Sequence, residues 1–102
     1  MNCIEFTKEF ERVINLIASE IEKNDIAGDI DVDMNGDILS LIIQRGVFII
    51  NKQSFTKEIW LSSPISGPYH FLYNGKVWES SAGNTLFKVL SDDLKIEIED
   101  PL

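Results

Sequence analysis

This chain has few means of building a covalent or tightly liganded framework. It contains one cysteine, Cys3, and one histidine, His70. A lone cysteine cannot staple a fold, which fits a reducing compartment, and its place near the N-terminus marks it as incidental. One histidine and no CxxC pair argue against a tight zinc or mononuclear iron site. Basic residues are also scarce: nine against seventeen acids leave a net charge of −8. That balance argues against nucleic acid and anionic membrane, and favours cations or a basic patch on a protein partner. No stretch approaches the ~20 apolar residues of a membrane span. The N-terminus shows neither the basic and apolar blocks of a secretory signal nor an Arg-rich transit segment. A bacterial cytoplasm is the simplest location, with a processed organellar protein as the alternative. There is no phosphate-cradling glycine loop, nucleophile–base pair or cofactor motif, and Ser62-Ser63 and Ser80-Ser81 have no base nearby in sequence.

What is present is a globular composition, 44% hydrophobic and 10% aromatic over 102 residues, enough for one domain (1–102) with a modest core. Phe6, Phe10, Val13, Ile14, Ile17 and Ile21 recur at helical spacing and predict a helix from about Glu5 to Lys23, with Asn24 and Gly28 framing its exit. Ile30, Val32 and Met34 alternate with Asp31 and Asp33, a strand pattern. Asn35-Gly36 predicts a type I′ hairpin turn. Further strands follow at Ile38–Gln44, Val47–Lys52 (after an Arg45-Gly46 turn), Lys57–Ser62, Tyr69–Tyr73 and Lys76–Glu79. Pro64, Gly67 and Pro68 break the chain before the fifth, and Asn74-Gly75 turns it into the sixth. Asn84 or Thr85 caps a second helix with Leu86, Phe87, Val89, Leu90 and Leu94 inward, and the Lys95–Leu102 tail keeps Ile96 and Ile98 for packing across the helices. The expected fold is α+β, a two-layer sandwich with two terminal helices on one face of an antiparallel sheet of about six strands.

Two groups of residues point to function. Ten of the seventeen acids fall within the first 37 residues, and Asp29, Asp31 and Asp33 sit at i, i+2, i+4 of the first strand. Same-face neighbours on a strand are ~6.7 Å apart, too wide for a compact site and suited to a cation held by one or two carboxylates and water. The plainer reading is a solvated acidic surface. On the open sheet face, alternation groups Asn51 and Gln53, and sends Trp60 outward because Ile59 and Leu61 point to the core. His70 shares that face. An exposed indole beside amides suits protein docking. The alternatives are a tryptophan packed under a loop or under Tyr and Phe side chains, amides that merely end a strand, and a structural or solvated histidine. Trp78 reads as a core residue.

The segment Asn51-Lys52-Gln53, Ile59-Trp60-Leu61-Ser62-Ser63-Pro64 and Ser66-Gly67-Pro68 resembles the central signature of the frataxin family, called CyaY in bacteria. The resemblance extends from about Phe6 to Leu94, through Asp29–Asp33 with Asn35-Gly36, Tyr73-Asn74-Gly75-Lys76 with Trp78, and a C-terminal helix at Ser81–Leu90. Two positions depart from it: Phe55 stands where the family commonly has proline, and His70 where many eukaryotic members have arginine. The resemblance implies weak, exchangeable binding of iron (Fe2+/Fe3+) at the matching acids Glu20, Glu22, Asp25, Asp29, Asp31 and Asp33, with Lys23 interrupting the ridge. It also implies that Asn51, Gln53 and Trp60 contact an iron–sulfur scaffold protein, with His70 a further contact, while the acids face a basic region of a cysteine desulfurase.

The expectation is therefore a non-enzymatic iron-binding modulator of iron–sulfur cluster assembly, a monomer in the absence of iron. A ferroxidase or iron-storage protein is the competing reading. Ferroxidase centres gather carboxylates and histidine in an interior, whereas these acids belong to a surface and the one histidine lies far from them in sequence. A third reading, an acidic mimic of nucleic acid, accounts for the charge but not for Trp60 with Asn51 and Gln53.

Overall fold

The computed structural model describes residues 1–99 and has the order α1 (Cys3–Asn24), β1 (Asp31–Asn35), β2 (Ile38–Ile43), β3 (Gly46–Gln53), β4 (Glu58–Ser63), β5 (Gly67–Tyr73), β6 (Trp78–Glu79), α2 (Leu86–Leu94). The strands form one antiparallel meander in chain order, as the short connections require. The expected α+β sandwich is the observed architecture. Helix α1 begins two residues before the expected start because Asn2 and Glu5 form a capping box. The Asn2 side chain accepts from the Glu5 N–H (2.8 Å) and Glu5 Oε1 from the Asn2 N–H (3.0 Å). Its predicted stripe, Phe6 to Ile21, is wholly buried.

The stripe lies on the inner sheet face, where Leu39, Leu41, Phe48, Ile50, Ile59, Leu61 and Phe71 are buried. Leu86, Phe87, Val89 and Leu90 of α2 complete the core with Trp78, whose ring lies between those of Phe6 (6.0 Å) and Tyr73 (5.5 Å). Trp78 is a core residue as expected. Thr85 caps α2 through its carbonyl, which accepts the Val89 N–H, and not through its side chain. Ile98 packs into the core, and Ser91 Oγ both donates to the Ile98 carbonyl and accepts its N–H. The tail thus crosses back as expected as far as Glu99; its last three residues lie outside the described part.

Turns depart from expectation because strand pairing shifts which residues occupy the corners. Asn35 pairs with Ile38, so Gly36 and Asp37 are the central residues. Only Gly36 has positive φ (+60°), the pattern of a type II′ turn and not the expected I′. Gly46 pairs with Ile43 and belongs to β3, leaving Gln44 and Arg45 in the turn. Asn74 opens a four-residue loop, its side-chain oxygen accepting the N–H groups of Lys76 and Val77, which shortens β6 to two residues. Gly67 and Pro68 lie within β5 instead of before it. Since β6 reaches only Leu72 and Tyr73, this end of β5 is a free edge, where proline's missing donor is tolerated.

The loop between β4 and β5 is fastened to α2. Ser63 and Ser66 hydroxyls donate to Asp93 Oδ2, and Ser63 Oγ accepts the N–H groups of Ile65 and Ser66. Pro64 in that loop closes against Gly46, where a β-carbon would sit 2.7 Å from Pro64 Cβ, and Gly46 adopts φ of +145°. Gly46→Ala therefore meets both backbone strain and a proline ring that cannot rotate away. It should lower unfolding stability by about 2 kcal/mol or more in urea titrations; an unchanged midpoint would show that this contact does not constrain the fold.

Candidate docking face and acidic edge

Register decides the outer face. Residues directly opposite one another in an antiparallel sheet share a face. Asn35, Ile38, Asn51, Trp60 and His70 are successive partners across β1 to β5 and form one outward row. Gln53 pairs with Glu58 beside it. All four residues expected at a partner contact, Asn51, Gln53, Trp60 and His70, are thus on one face.

Trp60 and His70 stack face to face, with ring centroids 4.1 Å apart and planes within 5° of parallel. The indole is half-buried, one ring face packed against the exposed imidazole. The indole N–H donates to Glu58 Oε1 (3.1 Å), which also accepts the Thr56 hydroxyl (2.8 Å). Glu58 is the residue that sequence reasoning missed. The available signal was its i, i+2 relation to Trp60, which puts both on one face of a strand. Its carboxyl is held below the ordinary value of 4.5 by the Thr56 hydrogen bond, then the Trp60 hydrogen bond, with the charge of His70 adding a smaller lowering and partial burial opposing.

The acids are arranged differently from expectation. Asp29 does not extend the strand row, because β1 begins at Asp31 and Asp29 sits in the loop after Gly28. Asp25 is engaged at the α1–β1 corner, where its two oxygens accept the N–H groups of Asp29 (3.1 Å) and Ile30 (2.9 Å). Glu20 is half-buried, accepts the Glu99 N–H at 3.3 Å and lies 4.0 Å from Lys23. Glu22, Asp29, Asp31 and Asp33 are exposed, with no internal side-chain hydrogen bond or ion pair among the described residues. The six do not converge: among the described residues no group of three or more His, Cys, Asp or Glu is placed to hold one ion.

Asp31 and Asp33 alternate with Val32 and Met34, which pair with the buried Leu41 and Leu39 but are themselves exposed, and pair with Ile42 and Ser40, so they project from the same outer face as Trp60. Of the acidic group, Asp31 and Asp33 thus share one sheet face with the row that carries Trp60. The exposed apolar residues Ile38, Ile42 and Val47 lie between them. Cys3 is exposed in the first turn of α1. Among the described residues no helix is long and apolar enough to cross a membrane.

An open antiparallel sheet backed by two terminal helices, with an indole, amides and carboxylates on its free face, defines the class of protein. Comparison with known proteins narrows it. The frataxin-like domain family matches residues 1–100. The chain is 34% identical over 93 residues to the iron-sulfur cluster assembly protein CyaY of Pasteurella multocida, covering 90% of this chain and 88% of that protein. It is 41% identical over 69 residues to a mitochondrial frataxin-like protein of Leishmania donovani, covering 67% of this chain but only 36% of that longer protein. The solved structure of frataxin from Psychromonas ingrahamii superposes with a TM-score of 0.86 at 25% identity, covering 98% of this chain and 100% of that one. This chain belongs to the frataxin-like family.

The depressed Glu58 value has a defined consequence. A carboxyl whose folded value lies below its unfolded value stabilises the fold above the unfolded value, and that contribution is lost as the pH falls through the folded one. Glu58→Gln keeps an acceptor but removes the charge. Wild type should exceed Glu58→Gln in stability at neutral pH, and the gap should close as pH falls below 4.5. Urea titrations at several pH values check this; a gap independent of pH would assign no role to the charge.

Proposed function

We propose that this chain is an iron-binding protein that modulates iron–sulfur cluster assembly, docking on a cysteine desulfurase–scaffold complex through its outer sheet face. The observation that carries this reading is the single outward surface running from Asp31 and Asp33 on β1 to Asn51, Trp60 and His70 on β3 to β5. Family membership and likeness to a protein of cluster assembly support it. Carboxylates spaced along an exposed strand suit a hard cation held with most of its water, so Fe2+ and Fe3+ are bound weakly and exchangeably. Glu22, Asp29, Asp31 and Asp33 are the acids available, since Glu20 and Asp25 are occupied internally. The same carboxylates meet a basic region of the desulfurase, while Asn51, Gln53 and the Trp60–His70 stack contact the scaffold. The protein acts by position, altering sulfur transfer between its two partners, and is not itself a catalyst.

Titration of desulfurase plus scaffold with wild type, Trp60→Ala and the double variant Asp31→Asn/Asp33→Asn tests the docking. Wild-type binding should be salt-sensitive, Trp60→Ala should weaken it about tenfold or more, and the double variant should flatten the salt dependence. Absence of wild-type binding at low salt would discard the role. Iron binding has its own readout in thermal melting. Fe2+ should raise the midpoint of wild type, and the double variant should melt higher than wild type without metal, because removing two neighbouring like charges relieves repulsion. Unchanged melting in both experiments would overturn the iron reading.

A further inference from the structure

Strand β1 is exposed along its whole length and has a neighbouring strand, β2, on one side only. The turn that joins the two decides which backbone groups face the open side. Asn35 and Ile38 flank a two-residue turn, so they exchange both hydrogen bonds, and bonded pairs alternate from there. Asn35, Asp33 and Asp31 therefore bond to β2. The N–H and C=O groups of Val32 and Met34 point the other way, and among the described residues no loop carbonyl accepts either N–H. The side chains alternate as well. Asp31 and Asp33 project from the outer face, while Val32 and Met34 lie on the inner side and remain 40% and 42% exposed. Val32 borders a cleft of about 300 Å³ against Ala18 and Ile21 of α1. The open edge of β5 differs, because it contains Pro68, which has no N–H to offer; β1 has no proline.

We infer that β1 is a docking edge for an extended segment of a protein partner in which basic and apolar residues alternate. The segment adds to the sheet as a further strand, antiparallel like the others. Its apolar residues lie opposite Val32 and Met34, take up their outward N–H and C=O groups, and cover the exposed inner side next to Ala18 and Ile21. Its Lys or Arg residues fall opposite Asp31 and Asp33 on the outer face, within cross-strand reach of the carboxylates. Charge complementarity selects this occupant. A second copy of β1 laid antiparallel would set carboxylates against carboxylates, which is destabilising. The inference rests on the reading that these acids meet a basic region of a partner, and adds the conformation and residue pattern of what they meet.

The first arm of the test uses a short end-blocked peptide of alternating lysine and valine. Its control has the same residues with the lysines and valines in separate blocks, so charge and composition are equal. At low salt the alternating peptide should bind about fivefold tighter or more, since it alone can make several backbone hydrogen bonds in register. Amide hydrogen exchange, read in nitrogen-15 spectra, locates the contact. The Val32 and Met34 amides should exchange fast in the free protein and slow when the alternating peptide binds, whereas those of Asp33 and Asn35, bonded to β2 throughout, should change less. Val32→Pro removes one outward donor and no bond to β2. It should weaken the alternating peptide about two- to tenfold and leave the control unchanged. Equal binding of the two peptides, or binding without slowed exchange at Val32 and Met34, would overturn strand addition. Both readouts use wild type, so they hold even where Val32→Pro fails to fold. In the second arm, exchange is quenched on the desulfurase–scaffold complex and read on the released protein. Slowed Val32 and Met34 amides are expected. Wild-type binding without that slowing would overturn strand addition and leave the docking role standing. No binding to the complex, with the alternating peptide still held at β1, would instead overturn the docking role and leave the edge as a site for another basic partner.

Discussion

Leu39 of β2, Ile50 of β3 and Leu61 of β4 lie opposite one another and pack beneath the helices, and this inner row governs the rest of the molecule. Strand side chains alternate with a period of two. A slip of one residue would exchange the buried row for the outer one and place Asn51 and Trp60 in the core. Burial of the leucines and isoleucine against the stripe of α1 makes such a slip prohibitive. The outer row is therefore held in place by residues it never touches.

The corners serve the same register. Gly46 lets β3 begin under Pro64, while the Ser63–Asp93 hydrogen bond holds the next loop to α2. Asp25 closes the passage from α1 to β1 by accepting two backbone N–H groups that would otherwise face a corner without partners. An acid that belongs by sequence to the acidic ridge thus acts as a structural brace. The exposed acids beyond it, Asp31 and Asp33, keep their charge available because their strand is the sheet's edge, where only β2 lies alongside. Like charges on an edge strand also discourage pairing with a second copy of itself.

On the outer face, a short chain of contacts joins loop and strands: Thr56 to Glu58, Glu58 to Trp60, Trp60 to His70. Each member has its orientation limited by the next. A surface indole fixed in this manner loses less side-chain freedom on binding than a mobile one, which favours its use as a contact residue. The acids of β1 and the stacked rings of β4 and β5 lie toward opposite edges of a single sheet face.

The helical stripe from Phe6 to Ile21 was legible because six residues repeat one period, and the strand order because short links between alternating segments leave little topological choice. Trp60 and His70 could be assigned to one face by alternation alone. Their stacking could not, since it depends on the pairing of β4 with β5 and on ring rotation. Nor could the internal hydrogen bonds of Glu20, whose partner Glu99 is brought to it only on folding, or of Asp25, which depend on the path the chain takes at its own corner. By itself the sequence determined the amphipathic elements, the −8 charge and the identity of the outward residues, because these follow from local period and composition. Only the tertiary structure decided that the acids of β1 and the indole row share one surface, since strand register, and not sequence distance, sets which side chains emerge together.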